Sequence, residues 1–311
     1  MGLHWVYDQD ELGSKLKETE RINEPEFFPP VDSFYKHPQG EFTPYGHELM
    51  AHLNFLAEMA KQADKRDNID GDALAKYLSV YFKTQAHKGH YLNKASKAVL
   101  QNVQEGKQYP ETGHPSDAEA GAFAKAPALV AVFTGPQLIS NMETTVKVVM
   151  KNEAAAQAGV AAAAILEKVV SGMSVKEAIR WSLQESSPLS QTCKLQIEEA
   201  MAVQVANFST TVQNMGLSCG LPESLQLALL GAVTYQDYSR AIRINIVAGG
   251  DNASRSILLG SLLAAQFGLG AIPEGWRAKT THYVEAERLI DEILAAKAQK
   301  ATVPVVTMAA L

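Results

Sequence analysis

The sequence predicts an all-α, compact, single-domain protein, and three observations support this fold class. Apolar residues recur at three- and four-residue spacing through most of the 311-residue chain, which is the period of an amphipathic helix. No run of alternating apolar and polar residues bounded by turns indicates a strand. The composition, 46% hydrophobic and 20% charged, is sufficient for a sizeable core.

The N-terminal part of the chain changes from irregular structure to helix. Residues 21–46 contain five prolines, and because proline removes a hydrogen-bond donor and restricts its neighbour, irregular or extended chain is predicted there. The apolar spacing over residues 48–60 predicts the first helix. Asp70 or Asp72 can cap a second helix, and residues 95–103 indicate a third.

The middle of the chain predicts a loop followed by alanine-rich helices. Residues 108–115 form the loop, after which Ser116 and Asp117 offer an N-cap for a helix that Pro127 kinks or breaks. Gly135 begins another helix. Further helices are predicted at residues 154–170, after the capping-box pair Ser174 and Glu177, and at 197–212, 225–235, 238–247, 254–267 and 284–296.

The two ends of the chain complete the predicted domain. Residues 299–311 lack capping residues, and we expect a frayed tail there, so that the domain spans residues 1–298. The N-terminus has no basic stretch followed by a long apolar run, which predicts a cytoplasmic protein without a signal peptide.

Charge and composition exclude some classes of partner. The net charge of -6 offers no basic surface for a phosphate backbone, so nucleic acid is not an expected partner. The longest apolar stretch, residues 257–272, is too short to cross a bilayer and predicts a buried core helix rather than a membrane protein. Cys193 and Cys219 have no metal-type spacing, so we predict two reduced thiols, with a single disulfide as the alternative.

A glycine-rich segment between two predicted helices gives the most specific resemblance. Residues 249–256 read Gly-Gly-Asp-Asn-Ala-Ser-Arg-Ser, and a helix of small residues, an Ile-Pro pair and Trp276 follow. This order resembles the C-terminal signature of the ADP-ribosylglycohydrolase family, Gly-Gly-Asp-x-Asp-Thr and then Ile-Pro-x-x-Trp. Residues 2–8, 40–46 and 116–120 are similar to a subgroup that includes the jellyfish J-type crystallins and selenoprotein J.

The resemblance implies both a fold and an activity. The family is an all-α globule that removes ADP-ribose by hydrolysing the bond at the ribose anomeric carbon. Two Mg²⁺ ions are held by a Thr-Asp-Asp motif near the N-terminus and by the Asp, Asp and Thr of the C-terminal signature. Carboxylate and hydroxyl oxygens suit this hard ion, and a metal pair can orient the ribose and activate a water. The implied partner is ADP-ribose or an ADP-ribosylated substrate.

The metal ligands of the family are only partly present. In the N-terminal motif Thr43 is kept, but Pro44 and Tyr45 stand where the two aspartates belong. In the C-terminal motif Asp251 is kept, Ala253 replaces the second aspartate and Ser254 replaces the threonine. A lone aspartate cannot balance two Mg²⁺ ions, so at most one ion is expected. Its candidate ligands are Asp251, Thr43 and Ser254.

A second departure lies at the start of the chain. The family opens with an apolar helix that ends in a Gly-Asp-Ala turn, whereas here Met1 directly precedes Gly2. Either the gene model or the protein lacks that helix, and its absence is expected to expose apolar faces that it would cover.

The same glycine turn predicts an anion site. Arg255 follows the turn in the first turn of a helix, and Arg243 lies on the preceding helix, so both can hold a pyrophosphate. The alternative is that these arginines pair with local acids such as Asp237. The candidate substrate-binding residues are Gly249, Gly250, Asn252, Arg255 and Arg243.

The candidate catalytic residues are Asp251 and Asp117. The alternatives are that Asp117 is only an N-cap and that the Gly-Gly-Asp turn only joins two helices. Three functions therefore remain open: a hydrolase with a degraded metal site, a catalytically silent ADP-ribose-binding protein, and a crystallin-like structural protein.

Overall fold

Residues 6–18, 24–26, 38–62 and 67–302 are described by the computed structural model, and almost all of their regular structure is helical. Within these ranges the only β-structure consists of isolated bridges between single residues. The all-α fold class is therefore confirmed. The helices, in chain order, are α1 (Gln9–Glu18), α2 (Pro44–Ala60), α3 (Gly71–His87), α4 (Lys94–Gln104), α5 (Gly121–Ala124), α6 (Ala126–Val132), α7 (Gly135–Val149), α8 (Glu153–Val170), α9 (Val175–Ser182), α10 (Gln191–Ala202), α11 (Phe208–Met215), α12 (Glu223–Thr234), α13 (Tyr238–Val247), α14 (Asn252–Phe267), α15 (Glu274–Lys279) and α16 (Tyr283–Thr302).

Helix α8 lies at the centre of the fold because its small residues let neighbouring helices approach on several sides. It packs against α5, α6, α7, α9 and α14. At Gly159 an added Cβ would lie 2.7 Å from Val146 Cγ2, so the glycine is needed for the close contact with α7. The main core cluster runs from Tyr45 to Ile293, which agrees with a single domain.

The start of the described chain differs from the prediction in two ways. Helix α1 was not predicted; Leu12 and Leu16 bury its apolar side next to Ile246 and Val247. Helix α2 begins at Pro44 rather than at residue 48, because Thr43 caps it and proline is tolerated in the first helical turn. Most of the predicted irregular segment lies outside the described residues.

The prediction that Ser116 and Asp117 cap a helix was wrong. The chain stays irregular to Ala120, which precedes the short helix α5 without a side-chain cap. The break near Pro127 is confirmed, since α5 ends at Ala124 and Pro127 lies in the first turn of α6.

The C-terminal helices also differ in their boundaries. The helix predicted at residues 197–212 is two helices, because Asn207 caps α11 separately from α10. Helix α16 continues to Thr302, so residues 299–302 are helical rather than frayed, and residues 303–311 lie outside the described part. The stretch at 257–272 is mainly the packed helix α14.

No helix among the described residues is both long and apolar enough to cross a membrane. The prediction about an opening helix before Gly2 stays a prediction.

Candidate active site

The Gly-Gly turn is approached closely by other parts of the same chain. Gly249 and Gly250 have φ angles of +71° and +61°, which favour glycine. An added Cβ would lie 2.9 Å from Val6 O at Gly249 and 2.3 Å from Leu217 O at Gly250. Gly250 N donates to Val6 O (2.8 Å), and Asp251 N donates to Leu217 O (2.8 Å). The turn thus contacts two other segments of the protein, whereas the sequence analysis predicted that it contacts an anionic ligand.

Asp251 lies at the N-cap of α14 with no exposed surface. Tyr45 Oη donates to its Oδ2 (3.0 Å), and Ser254 N donates to its Oδ1 (3.4 Å). Burial raises the pKa of Asp251, and the hydrogen bonds from Ser254 and Tyr45 and the nearby Arg255 oppose this shift. Burial and Asp251 hold the pKa of Tyr45 well above its ordinary value, so the phenol is protonated and donates.

The other two predicted metal ligands serve as structural groups. Thr43 Oγ1 accepts from Gly46 N (3.3 Å) and caps α2. Ser254 Oγ donates to the main-chain oxygen of Asp251 (3.2 Å). The segments that contain Thr43 and Asp251 meet at Tyr45, which is two residues after Thr43 and donates to the carboxylate of Asp251.

Arg255 lies inside the protein rather than at its surface. With no exposed area, it donates from Nε to Asn245 Oδ1 (2.8 Å) and from Nη2 to Gly249 O (2.5 Å). Its Nη1 has no hydrogen-bond partner among the described residues. Burial lowers the pKa of Arg255 to about 10, still well above neutrality. The contacts tie α13 and α14 to the Gly-Gly turn, and the role of Arg255 in holding a pyrophosphate stays a prediction.

The remaining predicted binding residues, Arg243 and Asn252, have polar partners within the protein. Arg243 Nη2 pairs with Glu26 Oε1 (3.2 Å), and its guanidinium lies 5.6 Å from the ring centre of Trp276. Arg243 therefore pairs with an acid that is distant in sequence, whereas Asp237, the local acid of the alternative prediction, caps α13. Asn252 is buried, and its Nδ2 donates to Ile246 O (3.4 Å).

An acid-lined cavity lies on the other side of Tyr45. Its volume is about 390 Å³, and Asp117, Glu119 and Tyr91 line it. Asp117 N donates to His114 Nδ1 (3.0 Å), which orients the loop, while Asp117 Oδ2 has no hydrogen-bond partner among the described residues. The structure thus brings Asp117 to a cavity wall shared with Tyr45, although not as the helix cap that the sequence also allowed.

Glu119 is the residue that the sequence analysis did not single out. An isolated antiparallel bridge to Gly220 fixes its backbone, with Ala120 N donating to Cys219 O (2.8 Å). Asn93 Nδ2 donates to Glu119 Oε1, and Cys219 Sγ donates to Oε2 (3.5 Å). Burial, followed by the negative charges of Asp117 and Glu48, raises the pKa of Glu119 to about 7.

Cys219 is an inert partner of this acid. Burial, Glu119 and Asp251 raise the pKa of its thiol to about 12, so the thiol stays protonated and donates. Both cysteines are free in the structure, as predicted.

A buried ion pair lies next to Gly121, close to Glu119. Lys125 Nζ lies 2.6 Å from Glu48 Oε1 and donates to Gly121 O (2.5 Å). An added Cβ at Gly121 would lie 3.5 Å from Glu119 Oε1, an ordinary van der Waals contact, so Gly121 borders this carboxylate.

The sequence model described as ADP-ribosylglycohydrolase matches residues 2–302, which is nearly the whole chain. The chain belongs to the ADP-ribosylglycohydrolase family. Among curated proteins, Crystallin J1A of Tripedalia cystophora is 26% identical over 308 residues, covering 94% of this chain and 90% of that protein. Crystallin J1B of the same animal is 25% identical, with the same coverage.

A solved structure supports the fold of the family. An ADP-ribosylglycohydrolase-related protein complex superposes with a TM-score of 0.67 at 18% identity, covering 83% of each chain. At this identity the similarity concerns the fold alone.

In this member of the family, the residues at the two metal motifs do not fit a pair of Mg²⁺ ions. Tyr45 contacts Asp251 where an acidic ligand is expected, and Ala253 offers no ligand atom. Both carboxylate oxygens of Asp251 accept hydrogen bonds from the protein. Among the described residues no group of three His, Cys, Asp or Glu side chains is arranged to hold a metal.

Proposed function

We propose that this protein hydrolyses a glycosidic bond of an ADP-ribosyl substrate in the acid-lined cavity, with Glu119 as general acid and without the metal pair of the family. The observation that carries the proposal is the position of Glu119, in a cavity wall and with its pKa raised to about 7. A carboxyl group that keeps its proton near neutrality can donate it to a leaving group.

The reaction requires two carboxyl groups with different roles. Glu119 donates a proton to the leaving oxygen or nitrogen as the bond to the anomeric carbon breaks. Asp117 lines the same cavity and accepts a proton from the water that attacks this carbon. The products are ADP-ribose and the protonated leaving group. Asp117 then releases its proton to solvent, and Glu119 regains one from solvent, which restores both carboxyl groups. Tyr91 and Tyr45 offer aromatic surface to the substrate in the cavity wall.

The test is product formation from substrates with defined linkages. ADP-ribosyl-arginine and ADP-ribosyl-serine are incubated with the full chain, and released ADP-ribose is quantified by mass spectrometry with Mg²⁺ or with a chelator. We expect turnover with at least one substrate, little change on chelation, and a decline as the pH rises through about 7, because Glu119 then loses its proton.

Matched variants make the test specific for the cavity. Glu119→Gln is expected to lose about 10²- to 10⁴-fold in rate, which is the usual contribution of general acid catalysis. Glu198→Gln, an exposed position on α10, is the control and retains the wild-type rate. Turnover that a chelator abolishes, or that Glu119→Gln leaves intact, contradicts the proposal.

A second function is a structural role without catalysis. The contact of Tyr45 with Asp251 favours it, because it replaces a ligand of the metal site with a neutral hydrogen bond. The names of the two similar proteins from Tripedalia cystophora, both crystallins, favour the same function. A folded wild type that neither binds ADP-ribose at millimolar ligand nor hydrolyses any substrate would make this the leading function.

A further inference from the structure

A second cavity, separate from the acid-lined one, opens between helices α2, α6, α13, α14 and α16. Its volume is about 480 Å³, within the roughly 300–1,000 Å³ of small-molecule sites. Apolar side chains make most of its wall, among them Leu53, Ile257 and Trp276. An apolar cavity of this kind stays poorly hydrated and favours apolar ligands.

The charges around this cavity restrict what it can hold. The charged side chains among its described lining residues are Glu26 and Glu41, and no lysine or arginine lines it. Glu26 already pairs with Arg243 (3.2 Å), and Glu41 with His282 (3.1 Å). The cations next to this wall, Arg243 and Lys279, are held by Glu26, so a ligand carboxylate or phosphate would have to compete with Glu26 for them. An ammonium group would find carboxylates that already have partners.

Two neutral hydroxyl groups, those of Thr280 and Ser256, also lie in the cavity wall. Thr280 Oγ1 donates to Trp276 O (3.0 Å), which leaves lone-pair capacity on its oxygen. Ser256 Oγ, also in the wall, donates to the main-chain oxygen of Asn252 (2.8 Å) and accepts from Asn245 Nδ2 (2.9 Å), which leaves one lone pair on its oxygen. Both hydroxyls can accept a hydrogen bond from a ligand hydroxyl.

We propose that this cavity is a binding site for a neutral amphiphile, an elongated apolar molecule with a hydroxyl head, and that it is distinct from the acid-lined cavity. The apolar wall holds the hydrocarbon body, the threonine and serine hydroxyls accept from the head, and the pairing of the neighbouring cations with Glu26 discriminates against fatty acids. The site is independent of catalysis by Glu119.

Binding is measured with ligands that share one chain and differ only in the head. Decanol, decanoate and decylamine are titrated into the full chain below their aggregation concentrations, by isothermal calorimetry and by the fluorescence of Trp276. We expect decanol to bind at least tenfold more tightly than decanoate. In the series octanol, nonanol and decanol, affinity should rise roughly fourfold per methylene group, because each buried methylene contributes a constant increment.

Cavity-filling variants locate the site. Leu53→Trp and Ala131→Phe place extra volume in the wall and are expected to weaken decanol binding at least tenfold. Leu195→Trp, an exposed position on α10, is the matched control and binds as wild type. Trp276→Phe should remove the fluorescence response but keep the calorimetric signal.

Three outcomes overturn the proposal: a wild type that binds no alcohol, equal affinity for decanol and decanoate, or a folded Leu53→Trp that binds like wild type. If both filled variants fail to fold, the head-group and chain-length series on the wild type still decide. Glycosidic turnover is measured in the same samples, and because the two cavities are separate, either proposal can fail while the other holds.

Discussion

The turn at Gly249–Ser254 and the cavity at Asp117–Glu119 lie on two sides of Tyr45, and they treat their acidic groups in opposite ways. In the turn, the protein itself engages both oxygens of Asp251 and leaves no surface exposed. In the cavity, Glu119 and Asp117 form part of an open wall, and Asp117 Oδ2 has no hydrogen-bond partner among the described residues. The first acid stabilises the fold, whereas the second pair has room for a substrate.

This difference shows that a family motif can have structural roles of its own. The Gly-Gly-Asp turn still requires its glycines, since Val6 and Leu217 approach them, and Asp251 still caps α14. These contacts give the glycines and Asp251 a structural role that needs no metal. Under the proposed function, the chemistry lies instead with Glu119, within a segment of much weaker signature.

The largest expected effect tests whether the turn is structural. Arg255→Met should lower the free energy of unfolding by about 3–5 kcal/mol, because it removes one member of a buried, charged hydrogen-bond network that includes Asn245 and Gly249. Urea unfolding at pH 7 measures the change. Arg240→Met is the control: Arg240 is exposed and lies over the ring of Tyr235, so it should cost less than about 1 kcal/mol.

A loss of ADP-ribose affinity without a loss of stability would change the comparison between the turn and the cavity. If Arg255→Met unfolds like wild type and loses affinity for ADP-ribose tenfold or more, the arginine belongs to a binding site after all. The two readouts separate a stabilising role from a ligand contact.

A smaller effect is expected at the residue between the two regions. Tyr45→Phe should lower the free energy of unfolding by about 1–3 kcal/mol, because it takes a hydrogen bond from the buried carboxylate of Asp251. Tyr77→Phe, at a half-buried tyrosine whose ring packs at a tilt against Phe55, is the control, with an expected loss below about 0.5 kcal/mol. Calorimetric melting of both variants measures the difference, and equal melting temperatures would show that the Tyr45–Asp251 contact is unimportant for stability.

Most of the helical fold could be predicted from the sequence, because apolar periodicity and capping residues are local signals. The capping box at Ser174 and Glu177 is present as predicted. The predictions are wrong where contacts with distant parts of the chain determine the local structure. Helix α1 is short and polar, and its few apolar residues find their partners on α13, more than two hundred positions away. The segment before Ala120 is held irregular by its bridge to Gly220.

The candidate site was predictable only where a motif marked it. The match of Thr43 and Asp251 to one family site predicted that their segments meet, and the two segments meet at Tyr45. Periodicity could not show that Arg255 points inward, because its polar partners Asn245 and Gly249 come from another helix and from a turn. Glu119 could not be identified because its raised pKa depends on burial and on Asp117 and Glu48, and Glu48 is distant in sequence.

The smallest expected effect concerns the cost of keeping Glu119 in the cavity. Its pKa in the folded protein is about 7, above the ordinary glutamate value, so the folded state retains a proton between about pH 4.5 and 7 that the unfolded chain releases. Stability is therefore lost as the pH rises through this window. Glu119→Gln removes the titration while keeping the shape, so its stability relative to wild type should be about 1–3 kcal/mol more favourable at pH 8 than at pH 5. Urea unfolding at both pH values measures this difference, and Glu198→Gln, exposed on α10, should show none. If the stability of Glu119→Gln relative to wild type is the same at pH 5 and pH 8, this carboxyl has an ordinary pKa. The contrast between the closed turn and the acid-lined cavity would then lose its chemical basis.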